Sequence, residues 1–326
     1  MPGPEAIGGR LARRPIAPPG RALTWLWRPR GFAERRLAFL ALIALPALLY
    51  VLLVAVWPIA QGVYYSFFDY NLLRPAARSF AGLDNYRAIW EDETNRRAVL
   101  NTLVFTAAAV GLELLFGLAL ALLLWPDGRF NRVATALMLV PITITPLAVG
   151  LLFRALLNAD FGLIGYWARV AGISGPHGFL GDPASALGAL VLIDAWEWTP
   201  LMALILLAGL KTLPQELIEA AEVDGATYLQ RLRLVALPMM LPSIFLALVL
   251  RGMDAFRVFD IVFATTKGGP NDATTVLMFQ AVKQGLEFFD IGAAAAIANL
   301  MIVAIAVMAL VFTRLIRHAD QKVAAG

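Results

Sequence analysis

Apolar runs of about 20 residues, each long enough to cross roughly 30 Å of hydrocarbon as a helix, recur along the chain of 326 residues. Inside a bilayer such runs must satisfy their own backbone hydrogen bonds, which leaves bundled helices or a closed barrel. A barrel would show short segments of alternating polarity, whereas these runs are continuous. The expected fold class is therefore all-α. It is a polytopic membrane protein with six transmembrane helices near 37–62, 98–125, 132–156, 184–209, 239–265 and 290–315. Composition agrees: 60% of residues are hydrophobic and 15% charged, with a mean hydropathy of +0.72. That is too little charge for a soluble domain of this length.

The basic residues orient the chain. Of 27 Lys and Arg, sixteen fall in the N-terminal tail, the 126–132 turn, the 210–238 loop and the C-terminal tail with the end of the sixth span, where Arg314 lies. Nine lie on the opposite side, and Arg251 and Arg257 fall within the fifth span. The positive-inside rule then places both termini and the 210–238 loop in the cytoplasm. Residues 1–36 read as a disordered basic tail, with Pro15, Pro18 and Pro19 among its arginines and no signal-peptide layout. Its arginines can touch anionic lipid headgroups. The six-helix domain occupies 37–316, and 317–326 forms a short cytoplasmic tail.

Topology accounts for the net charge of +4, so no nucleic-acid partner is read from it. The chain has no cysteine, which excludes disulfides, thiolate chemistry and Cys-ligated metals. His177 and His318 both lie outside the expected spans, so no histidine-based metal site or triad is expected in the membrane. The two halves share no recurring motif, which argues against a transporter built from related repeats.

The loop is more ordered in pattern than a connecting turn requires. It contains "EAAEVDGATYLQRLRLVALP" at 219–238. Thr212 with Gln215 has capping-box spacing, and Pro214 falls in the permissive first turn. Glu216, Glu219 and Glu222 follow at intervals of three. Gly225 supplies a backbone that can turn without a Cβ penalty. Thr227 with Gln230 repeats the capping pattern and opens a second helix carrying Arg231 and Arg233, and Pro238 and Pro242 bend the chain back into the membrane. The segment predicts a helix–turn–helix elbow at the membrane surface. Local physics leaves two readings open, a docking element for a partner or an interfacial loop without one.

Polar groups within a span face a cavity or pair with each other. The third span has Thr143 and Thr145 between Pro141 and Pro146. The fourth has Asp194, Trp196, Glu197 and Trp198, and the fifth has Arg251, Asp254, Arg257 and Asp260. At about 1.5 Å per residue all three sets fall near mid-membrane. Carboxylates and guanidiniums can hydrogen-bond several hydroxyls, and Trp faces can cover the C–H side of a sugar ring. A second reading is a self-neutralising ladder in the fifth span, whose charges alternate at intervals of three. Asp260, nearest the outside, is set aside as a solute contact. Glu113 in the second span finds no partner in the pattern, and another subunit is one place for it.

Glu219-Ala220-Ala221, Gly225, Val235 (where Ile is usual) and Leu237-Pro238 together resemble the "EAA" motif of permease subunits in bacterial ABC importers. "PIAQGVYYSFFDY", "FAGLDNYRAIW", "NADFGLIGYW" and "TTKGGPNDATTVLMFQAVKQGLEFFDIGAAAAIANL" are similar to the first permease subunit of maltose and glycerol-3-phosphate systems. The resemblance covers roughly 40–315 and implies a multi-pass protein of the bacterial inner membrane, half of a translocation path for a sugar or polyol. Implied partners are a second permease subunit, two cytoplasmic ATP-binding subunits and an extracytoplasmic solute-binding protein. ATP and Mg would be used by the partner ATPases; this chain has no GxxxxGK[ST] loop. By the same resemblance Glu219, Ala220, Ala221, Asp224, Gly225, Leu237 and Pro238 couple to the ATPase. It also assigns solute contacts to Thr143, Trp196, Glu197, Arg251, Asp254 and Ala255, beside the Asp194, Trp198 and Arg257 read from the spans. The competing class is a stand-alone ion- or proton-coupled transporter that uses Asp194, Glu197 and the fifth span as a relay and needs no elbow.

Overall fold

The computed structural model describes residues 32–126 and 128–325; most of the expected basic tail lies outside them. Contacts divide the chain after Ile59 into two compact units. The first contains α1 (Phe32–Val51) and a π-helical turn over Leu52–Val56, and α2 (Trp57–Tyr65) runs across the division.

The second unit continues with a small hairpin of β1 (Phe68–Asp69) and β2 (Ser79–Phe80), paired antiparallel with Phe68 opposite Phe80. Two helices follow, α3 (Asp84–Glu91) and the long α4 (Glu93–Leu124). Asp92 caps α4 by accepting from the Asn95 backbone N–H, as a short carboxylate at that position should. Next come α5 (Arg129–Leu137), α6 (Leu139–Thr143), α7 (Pro146–Leu156), α8 (Leu163–Val170) and the long α9 (Pro183–Lys211). The 210–238 loop and the residue after it form α10 (Gln215–Val223), α11 (Tyr228–Arg231) and α12 (Leu237–Met239). The chain ends with α13 (Leu241–Phe256), α14 (Asp260–Thr265), α15 (Leu277–Val282) and α16 (Ile291–Ala325).

Four stretches are long and apolar enough to span a membrane: Leu42–Tyr65, Glu93–Leu124, Pro183–Lys211 and Ile291–Leu315. The third and fifth expected spans are not straight helices, which corrects the sequence reading. The third breaks between α6 and α7 with a bend of 91°, and the fifth bends by 65° between Met239 and Leu241. Pro146 explains the first break, since a proline disfavours helical backbone in the preceding residue; Thr145 is extended at φ −69°, ψ 140°. The fifth is interrupted again at 257–259, between α13 and α14. Counting each bent pair once brings the spans to six.

The core lies where α4 and α9 run along each other. Phe105, Leu190, Met202, Leu206 and Leu210 are fully buried there. Small residues permit the close approaches, as is usual between membrane helices. A Cβ on Gly117 would lie 2.7 Å from Met202 Cγ, one on Gly209 2.6 Å from Ser243 Oγ, and one on Gly150 2.6 Å from Ala264 Cβ. Gly117→Leu is expected to cost about 1–3 kcal/mol by overpacking, read as a lower thermal midpoint of the purified assembly. An unchanged midpoint would show that α4 and α9 can separate freely.

The Gly268-Gly269-Pro270 turn is more than an exposed link. The segment after it is tied to the start of α4: Asn101 Nδ2 donates to the Asp272 and Thr275 carbonyls, Thr102 Oγ1 accepts from Leu277 N–H, and Gln280 Nε2 donates to Asn95 Oδ1. These bonds fix α15 against α4 and place Met278 beside the cavity described next.

Candidate functional site

Two of these interruptions, before Pro146 and at 257–259, meet at one cavity of about 430 Å³. Pro146, the first residue of α7, lies on one side, and Val258, Phe259 and Ile261 come from the α13–α14 break. Unpaired backbone at membrane depth is tolerated where it is buried in protein or lines such a cavity. The polar lining is Asp194, Asp254, Arg257 and Asp260, with Trp198 as an aromatic wall. Asp194 and Trp198 are one turn apart on α9 and so share a face.

Behind the cavity lies a buried ion network. Arg251, 1% exposed, donates Nε and Nη2 to the two carboxylate oxygens of Glu113 at 2.6 and 2.7 Å. Its Nη2 also reaches Asp194 Oδ2 at 2.8 Å, and its Nη1 reaches Asp254 Oδ2 at 2.6 Å. The guanidinium carbon stands 4.7 Å from the centroid of the Trp198 ring, a cation–π contact. Arg257 Nη2 takes the other Asp254 oxygen at 3.0 Å. One guanidinium thus ties α4, α9 and α13 together. The bidentate fork to Glu113 is a geometry that Arg alone supplies.

Of the residues singled out in the sequence, Asp194, Trp198, Asp254 and Arg257 come together on the cavity. The others are not part of its lining. Arg251 is enclosed by its carboxylates, and Ala255 is buried in α13 at 2% exposure. Thr143 is exposed at the end of α6, its hydroxyl turned back to the Val140 carbonyl. Trp196 points away from Asp194 and Trp198, packs edge-on against Phe153 at 5.2 Å and lines a separate apolar groove with Phe116 and Pro200. Glu197 is fully buried, and neither carboxylate oxygen meets a donor among the described residues.

Two residues move the other way. Asp260, set aside above, lines the cavity because the break at 257–259 ends the regular helix that would have carried it outward. Glu113 does not face another subunit; it is fully buried against Arg251. The mixed-sign ladder is a partial truth. Asp254 bridges both arginines, while Asp260 belongs to a different helix and has no ion-pair or hydrogen-bond partner among the described residues.

The elbow is built from local signals. α10 ends in a Schellman motif: Gly225 at φ +79° donates to the Glu222 carbonyl, and Ala226 N–H reaches back to Ala221. Thr227 and Gln230 form the expected reciprocal capping box at α11. Glu222 and Arg231 form an ion pair across the turn. The other expected box is absent. Thr212 instead donates to the Gly209 carbonyl at 2.8 Å, and Pro214, not Thr212, occupies the N-cap of α10. Glu219, Ala220, Asp224, Gly225 and Pro238 are exposed, Ala221 and Leu237 half-buried. Around them Val223 is 88% and Leu229 68% exposed, an apolar surface on an element with its own internal supports.

Residues 113–325 match the family described as binding-protein-dependent transport system inner membrane component. The chain is 33% identical over 273 residues to the trehalose/maltose transport system permease protein MalF of Thermococcus litoralis, covering 83% of this chain and 91% of that one. It is also 33% identical to the sulfoquinovosyl glycerol transport system permease protein SmoG of Agrobacterium fabrum, over 88% and 92% of the two chains. Among solved structures, a bacterial ABC transporter involved in import of the acidic polysaccharide alginate superposes with a TM-score of 0.75. It is 21% identical, over 88% of this chain and 97% of that one.

Proposed function

Since the chain belongs to the family of binding-protein-dependent transport system inner membrane components, we propose that its cavity carries a sugar or related polyol across the bacterial inner membrane. The protein is a permease subunit of an ABC importer, and ATP is hydrolysed in partner subunits. Its partners are a second permease, ATPase subunits and a binding protein. On this reading both termini are cytoplasmic, six spans cross the bilayer, and two ATPase subunits bind ATP with Mg.

The observation that carries the coupling role is the elbow. Its turn is fixed by Gly225, its second helix by the Thr227–Gln230 box, and the two helices by Glu222–Arg231. An exposed apolar tip on so firmly built a loop suits a groove on an ATPase. Glu219, Ala220, Ala221 and Asp224 lie on or beside it, and Leu237 and Pro238 lead the movement into α13. ATP-driven closure of the ATPase pair would push the elbow. Because α9 precedes the elbow and α13 follows it, the push reaches Asp194, Trp198, Asp254 and Arg257 directly. Hydroxyl groups of the solute can donate to the free carboxylate oxygens, while Trp198 and Phe259 supply apolar walls.

The test is uptake of labelled sugars by the complete assembly with its binding protein in proteoliposomes. Uptake is expected to require ATP inside and binding protein outside. Accumulation driven by an ion gradient without ATP would overturn this reading in favour of secondary transport.

A further inference from the structure

Resting on the sugar reading, we propose that the cavity selects its solute by charge: it admits polyhydroxylated solutes without an anionic group, and Asp260 is a specificity-determining residue of that selection. Family likeness does not decide the point. Trehalose and maltose, named for one relative, are neutral, whereas sulfoquinovosyl glycerol, named for another, bears a sulfonate. The residues of this chain do decide it.

Three carboxylates and one guanidinium line the cavity. Directly behind it lie one more fully buried carboxylate, Glu113, and the guanidinium of Arg251 that it pairs with. An anion in the cavity would need a cationic donor, and the more deeply placed of the two arginines offers none. Arg251 is 1% exposed, its three nitrogens engaged by Glu113, Asp194 and Asp254, with Trp198 over its face. Arg257 gives one nitrogen to Asp254 and keeps the others open to the cavity, so a single guanidinium stands there against three lining carboxylates. A phosphate, sulfonate or uronate drawn to Arg257 would therefore sit among Asp194, Asp254 and Asp260, and the repulsion of those carboxylates outweighs one guanidinium that Asp254 already shares.

Asp260 sharpens the selection. It is the lining carboxylate with no hydrogen-bond or ion-pair partner among the described residues. Both of its oxygens can accept from hydroxyls, and its charge repels an anion without any neighbouring guanidinium bonded to it.

The experiment uses the purified assembly of this chain, its partner permease and ATPase subunits in nanodiscs, with the binding protein left out so that its own selectivity does not enter. Equilibrium binding is measured for labelled maltose, trehalose, glucose and glycerol, each against a phosphate, sulfonate or carboxylate counterpart. The neutral member is expected to bind at least about tenfold more tightly. Asp260→Asn, which keeps an acceptor oxygen and removes the charge, is expected to narrow that ratio at least about threefold. A purely structural role for Asp260 would weaken both members alike and leave the ratio unchanged, and that result overturns its assignment. Equal affinity for the two members in the unaltered assembly overturns the charge selection while leaving the importer reading intact. Binding of no member of either class would overturn selection at this cavity, while the importer reading stands or falls separately on ATP-dependent uptake with the binding protein present.

Discussion

Replacing Arg251 with methionine is expected to destabilise the protein by about 3–5 kcal/mol, because it strands buried carboxylates without removing them. Glu113 is fully buried and the Asp194 side chain is 4% exposed, and both rely on this guanidinium. Such a loss is a large share of the roughly 5–15 kcal/mol that holds a typical domain folded. The measurement is the thermal midpoint and yield of the assembly. Glu113→Gln in the same chain should recover part of the loss, because it removes the stranded charge, and a double-mutant cycle isolates the pair's coupling. Arg251→Lys should remain clearly destabilised, since an ammonium cannot present the fork that serves Glu113 and Asp254 together. A methionine variant with an unchanged midpoint would show that the network contributes no net stability.

That network was nearly invisible in the sequence. Arg251 and Glu113 are 138 residues apart, and nothing local to either announces the other. Their shared depth was the available clue: Glu113 sits midway along the second expected span, at the level assigned to Arg251. The long helices were legible because hydropathy over about 20 residues is a strong, continuous signal. Broken helices were not, since an interrupted span keeps the same composition. The bend before Pro146 could be anticipated from proline geometry. The break at 257–259 could not, because Val258 and Phe259 read as ordinary apolar helix. That one interruption decided the fate of Asp260. The elbow came through well for the opposite reason: caps and glycine turns are encoded within a few neighbouring residues. Where they failed, at Thr212, a nearby proline had shifted the helix start and freed the hydroxyl for the end of α9.

Substitutions at Gly225 should separate according to the backbone angle they permit. The residue stands at φ +79°, and a Cβ there would meet nothing within 4 Å of its own chain. The strain within the permease is therefore conformational rather than steric. Asn, which tolerates the left-handed region, should keep most ATP-dependent uptake. Ala should cost about 1 kcal/mol of elbow stability and reduce uptake several-fold. Pro, locked near φ −65°, cannot close the Schellman turn and should lower uptake at least about tenfold. The assembly should still form, because α4, α9 and α13 pack independently of the loop tip. Hydrolysis measured alongside uptake reads the coupling directly: in the Pro variant ATP turnover should no longer respond to the loaded binding protein. A graded order of Asn, Ala and Pro assigns the effect to the turn. If Asn and Ala abolish uptake as completely as Pro, the glycine is needed for close approach to the ATPase, and the elbow's rigidity is not what transmits the stroke.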